Sequence, residues 1–186
     1  MDDLKRIRKL YELKRVERTN KVGNRKESSA EHTWSCIMLA DYLLDFAEKK
    51  INRLKVYDLL LYHDVVEIES GDISIADTEA RKNKAQEEQK AALILQKKLP
   101  KSTGEKFVRL FSEYEAQETI ESRFAKGIDR LDALIHELDN PEEWVGWNEE
   151  KVRQIFGEAL VKFPIIDSLY ETILKYVKKN KYYQKR

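Results

Sequence analysis

The chain has 186 residues, with 35 Lys plus Arg against 34 Asp plus Glu and a formal net charge of +1. That balance argues against nucleic-acid or membrane-surface binding through a whole-protein positive field. The length suffices for one domain with a sizeable core, and residues 1–186 read as a single unit. The single cysteine, Cys36, excludes an intrachain disulfide and fits a reducing cytoplasmic setting. No apolar run approaches the roughly 18 residues of a membrane span. The start, MDDLKRIRKL, is a charged helical pattern and not a signal peptide.

Helical periodicity predominates, with only 6 Gly and 3 Pro as punctuation, and predicts an all-α bundle of about seven helices. The first covers about residues 2–18, followed by an irregular polar stretch, Thr19 to Glu27. Ser28 or Ser29 caps a second helix that runs to about Lys50, with His32, Cys36, Leu39, Ala40, Leu43 and Ala47 on its inward stripe. A third spans about Leu54–Glu69 and ends at Ser70-Gly71. A fourth, highly charged, covers about Asp77–Lys98 and stops before Pro100. A fifth covers about Thr103–Ala116, and a sixth about Glu118–Leu138. The last pattern runs from about Asn148 to Lys179, and Pro164 must kink it or open a new helix. Its apolar run, Val152 to Val177, suits either a homodimer face or core. The basic tail KKNKYYQKR reads as a solvated end.

Chemistry concentrates in four residues. His32 lies on the apolar face of the second helix. His63 and Asp64 close the run YDLLLYHDVVE, and Asp129 sits beside the stripe Phe124, Ile128, Leu131. A buried carboxylate stays ionised only with a partner. One divalent cation would satisfy all four residues together. Two neutral imidazoles and two carboxylates leave room for water or a substrate oxygen, and suit Mn, Co, Mg, Fe or Zn without choosing between them. Glu67 projects one turn beyond His63 on the same face and is a candidate to act on a water. Asp72 follows Gly71 at the helix end, where it could hold a substrate hydroxyl or protonate a leaving group. Asp132 is an alternative ligand or a partner for a ligand His. His136 reads as structural or exposed, Cys36 as a small buried hydrophobe, and Trp34 as a core residue. Trp144 and Trp147 are candidates for base stacking, docking or capping of the core.

The set His32, His63-Asp64, Asp129 resembles the H…HD…D signature of HD-domain metal-dependent phosphohydrolases. LKRV at 13–16, NRKESSAEHTW at 24–34, LLLYHDVVEIESGDI at 59–73 and FAKGID at 124–129 resemble its 5′-deoxynucleotidase branch, over roughly residues 10–140. The resemblance implies hydrolysis of deoxyribonucleoside 5′-monophosphates. It implies His32, His63, Asp64 and Asp129 as metal ligands, Glu67 as the group acting on the attacking water, and Asp72 at the substrate. It makes Arg15 the phosphate-gripping arginine. Two departures touch the substrate pocket: ISIAD follows the Gly-Asp pair where a proline is common, and the segment from Arg15 to His32 is long. Two alternatives remain open: action on another phosphate ester, such as a nucleoside triphosphate, a pyrophosphorylated nucleotide or a cyclic phosphodiester, and a non-catalytic interaction module with a structural metal.

Overall fold

The computed structural model describes residues 2–47 and 50–183. Nine α-helices are present among them: α1 Asp2–Leu10, α2 Ser29–Leu44, α3 Arg53–Tyr62, α4 Glu67–Ser70, α5 Lys84–Lys98, α6 Lys101–Ala116, α7 Ile120–His136, α8 Glu149–Leu160 and α9 Pro164–Lys179. The all-α expectation holds, with one small addition. The first predicted helix ends at Leu10, turns through a 3-10 segment at Tyr11–Arg15, and gives way to an antiparallel hairpin, β1 Glu17–Val22 with β2 Arg25–Ser28. Val22 pairs with Arg25 across a two-residue Gly23-Asn24 loop. Gly23 has φ +59°, so the strand-compatible turn with glycine at its first central position forms without strain.

Ser28 caps α2 reciprocally: its hydroxyl accepts from the Glu31 N–H, and the Glu31 carboxylate accepts from the Ser28 N–H at 2.9 Å. The α2 helix ends at Leu44 rather than near Lys50; residues 48 and 49 of the expected span lie outside those described, as do the last three residues of the basic tail. The expected third helix is broken. Regular α-helix stops at Tyr62, a turn carries residues 63–66, and α4 resumes at Glu67. Pro164 opens α9 at its first turn instead of kinking a longer helix.

Packing explains where the site forms. The larger apolar cluster joins Cys36, Ala40 and Leu43 of α2, Val56, Leu59 and Leu60 of α3, Phe124, Ile128 and Leu131 of α7, and the inner faces of α8 and α9. A second cluster gathers Val65, Val66, Leu95, Leu99, Phe107 and Phe111 beneath α5 and α6. The sequence LLLYHDVVE crosses from one cluster to the other, so His63 and Asp64 fall at the seam between two buried apolar bodies. The C-terminal run is core: Val152, Phe156, Leu160, Ile166, Tyr170, Leu174 and Val177 are buried. Val161 and Tyr176 are the exposed large hydrophobics of the run, so most of it serves the core. Trp34 corrects the opposite way. It was expected in the core and is 66% exposed, because the inward face of α2 is the stripe of His32, Cys36, Ala40 and Leu43.

Candidate metal centre and pocket

The four residues separated by up to 97 positions converge. His32 Nε2 lies 3.2 Å from Asp129 Oδ1 and 3.8 Å from Asp64 Oδ2. His63 Nε2 lies 3.2 Å from Asp64 Oδ1, and the two imidazole centroids are 5.4 Å apart. Donor atoms sharing one cation with bonds of about 2.1 Å stand about 3 Å apart, so this spacing suits a common ion.

The surrounding hydrogen bonds fix the orientation of each group. His63 Nδ1 donates to the Leu60 carbonyl at 2.7 Å, a contact that the break after α3 permits. Nδ1 thus carries the proton, and Nε2 is left as a buried lone pair with no hydrogen-bond partner. Burial pulls the His63 pKa below its ordinary value, which keeps that lone pair free. His32 Nδ1 stands 2.8 Å from Asp132 Oδ2, turning His32 Nε2 toward the two carboxylates. Asp132 is thus a partner of His32 and not one of the converging donors. Asp129 Oδ2 accepts from the Tyr114 hydroxyl at 2.7 Å, with Lys126 Nζ at 3.5 Å. Burial alone would raise the Asp129 pKa; Lys126, Arg130 and His32 hold it well below the usual range. These residues could hold a divalent cation, and the orphaned His63 Nε2 is the observation that fits one. Cys36 Sγ lies 3.5 Å from His32 Nε2, and His32, Cys36 and His63 offer donor atoms within 4.8 Å of one another. Burial pushes its thiol up to about 12, so it enters as a neutral neighbour.

Glu67 is buried at the start of α4, and its Oε2 accepts from the Ser29 hydroxyl at 2.7 Å. Burial, then the charges of Asp64 and Asp72, raises its pKa well above the ordinary carboxylate value. Gly71 ends α4 with φ +74°, a conformation natural to glycine, and this turn brings Asp72 back to the pocket.

Arg15 lies elsewhere. It is exposed at the end of the 3-10 segment and lines a separate hollow with Lys14, Arg25 and Trp34. Arg18 occupies the place expected of it. Its Nη1 lies 3.4 Å from Asp64 Oδ2 and 3.8 Å from Asp72 Oδ1, and its Nε donates to Glu27 at 3.1 Å. Treating residues 2–18 as one helix hid this. On a strand, alternate residues share a face, and Arg18 and Asn20 both turn inward. The apparently long interval before His32 shrinks by three residues once Arg18 replaces Arg15. The reading of the sequence also missed Ser29 and Tyr114, whose roles depend on contacts across 38 and 15 positions. His136 is structural: its Nε2 meets the Lys21 carbonyl at 2.8 Å and ties α7 to the hairpin. Trp144 and Trp147 line the far end of the pocket with Ile75, Ala133 and Phe156. Trp144 is buried and donates from Nε1 to the Glu137 carbonyl at 2.8 Å.

Comparison with known proteins bears on the family. The HD domain family model matches residues 10–163. The human protein named 5′-deoxynucleotidase HDDC2 is 30% identical over 132 residues, which cover 69% of this chain and 63% of that protein. The chain thus aligns with somewhat under two thirds of the human relative's length. The Danio rerio protein of the same name is 30% identical, covering 76% of this chain and 72% of its own. A predicted metal-dependent phosphohydrolase from Magnetospirillum magnetotacticum MS-1 superposes with a TM-score of 0.84 at 27% identity, covering 98% of this chain and 96% of that one. With the paired histidines and aspartates gathered at the seam of a helical core, and a family model spanning most of the sequence, the chain belongs to the HD domain family.

Proposed function

We propose that this protein is a metal-dependent phosphohydrolase that removes phosphate from deoxyribonucleoside 5′-monophosphates. The observation that carries the reading is the unpartnered, buried His63 Nε2 facing Asp64, with Arg18 and Glu67 in the same pocket. The relatives named 5′-deoxynucleotidase support the choice of substrate.

His32, His63, Asp64 and Asp129 would hold a divalent cation, which supplies Lewis acidity and neutralises charge on phosphoryl oxygens. Glu67, anchored through Oε2 to Ser29, would orient a water and take its proton. Its place beside Asp64 and Asp72 in the pocket makes it the candidate proton acceptor. The Arg18 guanidinium grips phosphate oxygens in the fork geometry that suits them. Water attacks phosphorus as the bond to the 5′-oxygen breaks, and the leaving oxygen takes a proton from Asp72 or solvent. The products are inorganic phosphate and a nucleoside, and the apolar end around Trp144 and Trp147 suits the base. The test is phosphate release from a panel of ribo- and deoxyribonucleoside 5′-monophosphates with Mn²⁺, Co²⁺, Mg²⁺ or EDTA, beside an Asp64→Ala control. Release that needs metal, favours deoxyribose and vanishes in the control supports the proposal. No release with any metal from folded protein contradicts it.

We also infer a homodimer, built on α2. Its outer face exposes Trp34, Met38 and Tyr42 at a spacing of four residues, with exposed Phe46 in the turn just past its end, while its inner face is core. A helix apolar on both sides calls for cover on both. Lys14, Arg15, Arg25 and Lys26 surround the Trp34 end, whereas Asp41 and Asp45 lie toward the other. Because Asp41 and Asp45 are both bound to Arg53, and Arg25 to Glu31, the apolar stripe and not charge would drive an antiparallel pairing of two α2 helices. Sedimentation velocity should show a dimer that Tyr42→Glu converts to monomer; an unaltered dimer in the variant would exclude this face. No helix of the described residues is long and apolar enough to cross a membrane. We further propose a cytoplasmic setting, which suits a free thiol such as Cys36.

A further inference from the structure

Two guanidinium groups in the pocket are unused by the chemistry above. Arg81 sits in the 3-10 turn Ala80–Asn83, and Arg130 follows Asp129 on α7. Both are half-buried, and both line the pocket that contains His63, Asp64 and Asp129. The other basic residues of that pocket are committed. Arg18 lies among Glu27, Asp64 and Asp72, Lys84 is bound to Glu88, and Lys126 faces Asp129 and Tyr114. Arg81 and Arg130 differ. Arg81 Nη1 donates to the Ile73 carbonyl at 3.2 Å, and neither residue forms an ion pair with a carboxylate among the described residues.

The two positive charges also oppose each other. Burial first, and then the charge of Arg130, lowers the Arg81 pKa from its usual value. Arginines on a protein surface rarely feel such a push, because water or a carboxylate takes up the charge. Here two half-buried guanidinium groups, carried by α7 and by the 3-10 turn, line one pocket. An anion bound in that pocket would offset their positive charge and accept from donors that no carboxylate takes up. A planar guanidinium matches phosphate oxygens bidentately.

We propose that Arg81 and Arg130 form a phosphate-binding subsite of this pocket, distinct from Arg18. The phosphate can come from two sources: the 5′-phosphate that is cleaved, or a second phosphate on the same substrate. The naming of a nucleotide as substrate rests on the reading above; the binding of phosphate does not.

The test uses full-length protein stripped of metal with EDTA and then desalted. Inorganic phosphate is titrated by calorimetry at low ionic strength into wild type, Arg81→Gln, Arg130→Gln and the remote surface control Arg153→Gln. Saturable binding that weakens about tenfold in each pocket variant and is unchanged in the control supports the subsite. Wild type that binds no phosphate, or variants that bind it as wild type does, would overturn the proposal. With metal restored, a nucleoside 5′-monophosphate is compared with its 3′,5′-bisphosphate. An equal KM increase for both in Arg130→Gln assigns the subsite to the cleaved phosphate, and an increase confined to the bisphosphate assigns it to the second. Phosphate binding that persists in a protein without hydrolytic activity would sink the catalytic reading alone.

Discussion

Two halves of the pocket are built differently. One half is held by helices: His32 on α2, His63-Asp64 at the end of α3, and Asp129 and Asp132 on α7, all backed by the larger apolar cluster. The other half hangs from turns and short elements: Arg18 on a two-stranded hairpin, Glu67 on a one-turn helix, Asp72 after a positive-φ glycine, and Arg81 in a 3-10 turn. The helical half carries the residues whose positions must agree to within a fraction of an ångström, and close packing supplies that precision. The turn half carries groups that meet water and substrate, and its local structure rests on fewer buried contacts.

Asp129→Asn and Glu67→Gln break each half at its centre. Both should reduce phosphate release by at least about 10³-fold, since each removes several kcal/mol of transition-state stabilisation. Their effects on metal-free protein should differ in sign. Asp129 has a depressed pKa, so its charge is favourable in the fold, and Asp129→Asn should lower the Tm. Glu67 has a raised pKa, so its ionised form is unfavourable, and Glu67→Gln should raise the Tm at neutral pH. Equal signs in the melting curves would show that the two carboxylates do not differ as described.

Arg18→Lys should cost about 10²-fold in kcat/KM, because an ammonium lacks the bidentate fork, whereas Arg15→Ala should leave the kinetics unchanged. Steady-state kinetics showing the reverse would restore Arg15. Asp132→Asn should weaken metal affinity about 10- to 100-fold by loosening His32, with Arg18-dependent phosphate binding intact. The smallest effect concerns the junction of hairpin and helix. Arg25, and then the Ser28 N–H and hydroxyl, hold the Glu31 carboxyl down to about 2. A depressed carboxyl pKa contributes stability above its unfolded value of about 4.3 and loses it as pH falls toward 2. Glu31→Gln should therefore flatten the acid limb of a Tm-against-pH curve over that window and change little at pH 7.

The helical half was legible in the sequence for a physical reason. His32, Cys36, Ala40 and Leu43 repeat with the helix period, and the apolar run before His63-Asp64 marks a buried segment, so pattern and position agree. The turn half was less so. The alternation in Glu17–Val22 spans only six residues, polar on both faces, and resembles a helix end. Its strand character comes from pairing with β2 and from His136 bonding to Lys21, neither of which a local pattern carries. Asp132 was legible as a ligand or a partner of a ligand His, and its contact with His32 Nδ1 decides for the partner, whereas Ser29 became intelligible only when Glu67, 38 positions away, supplied the other half of its hydrogen bond. Trp34 misled because α2 is apolar on its outer face as well, so hydrophobicity alone did not identify the inside.

The measurement closest to the central claim is calorimetric titration of Mn²⁺ into metal-stripped wild type, Asp64→Asn and Arg18→Lys. The account predicts saturable binding in wild type, its loss in Asp64→Asn, and its survival in Arg18→Lys, since the cation belongs to the helical half and the arginine to the other. Absence of binding in wild type, or binding indifferent to Asp64, would contradict it.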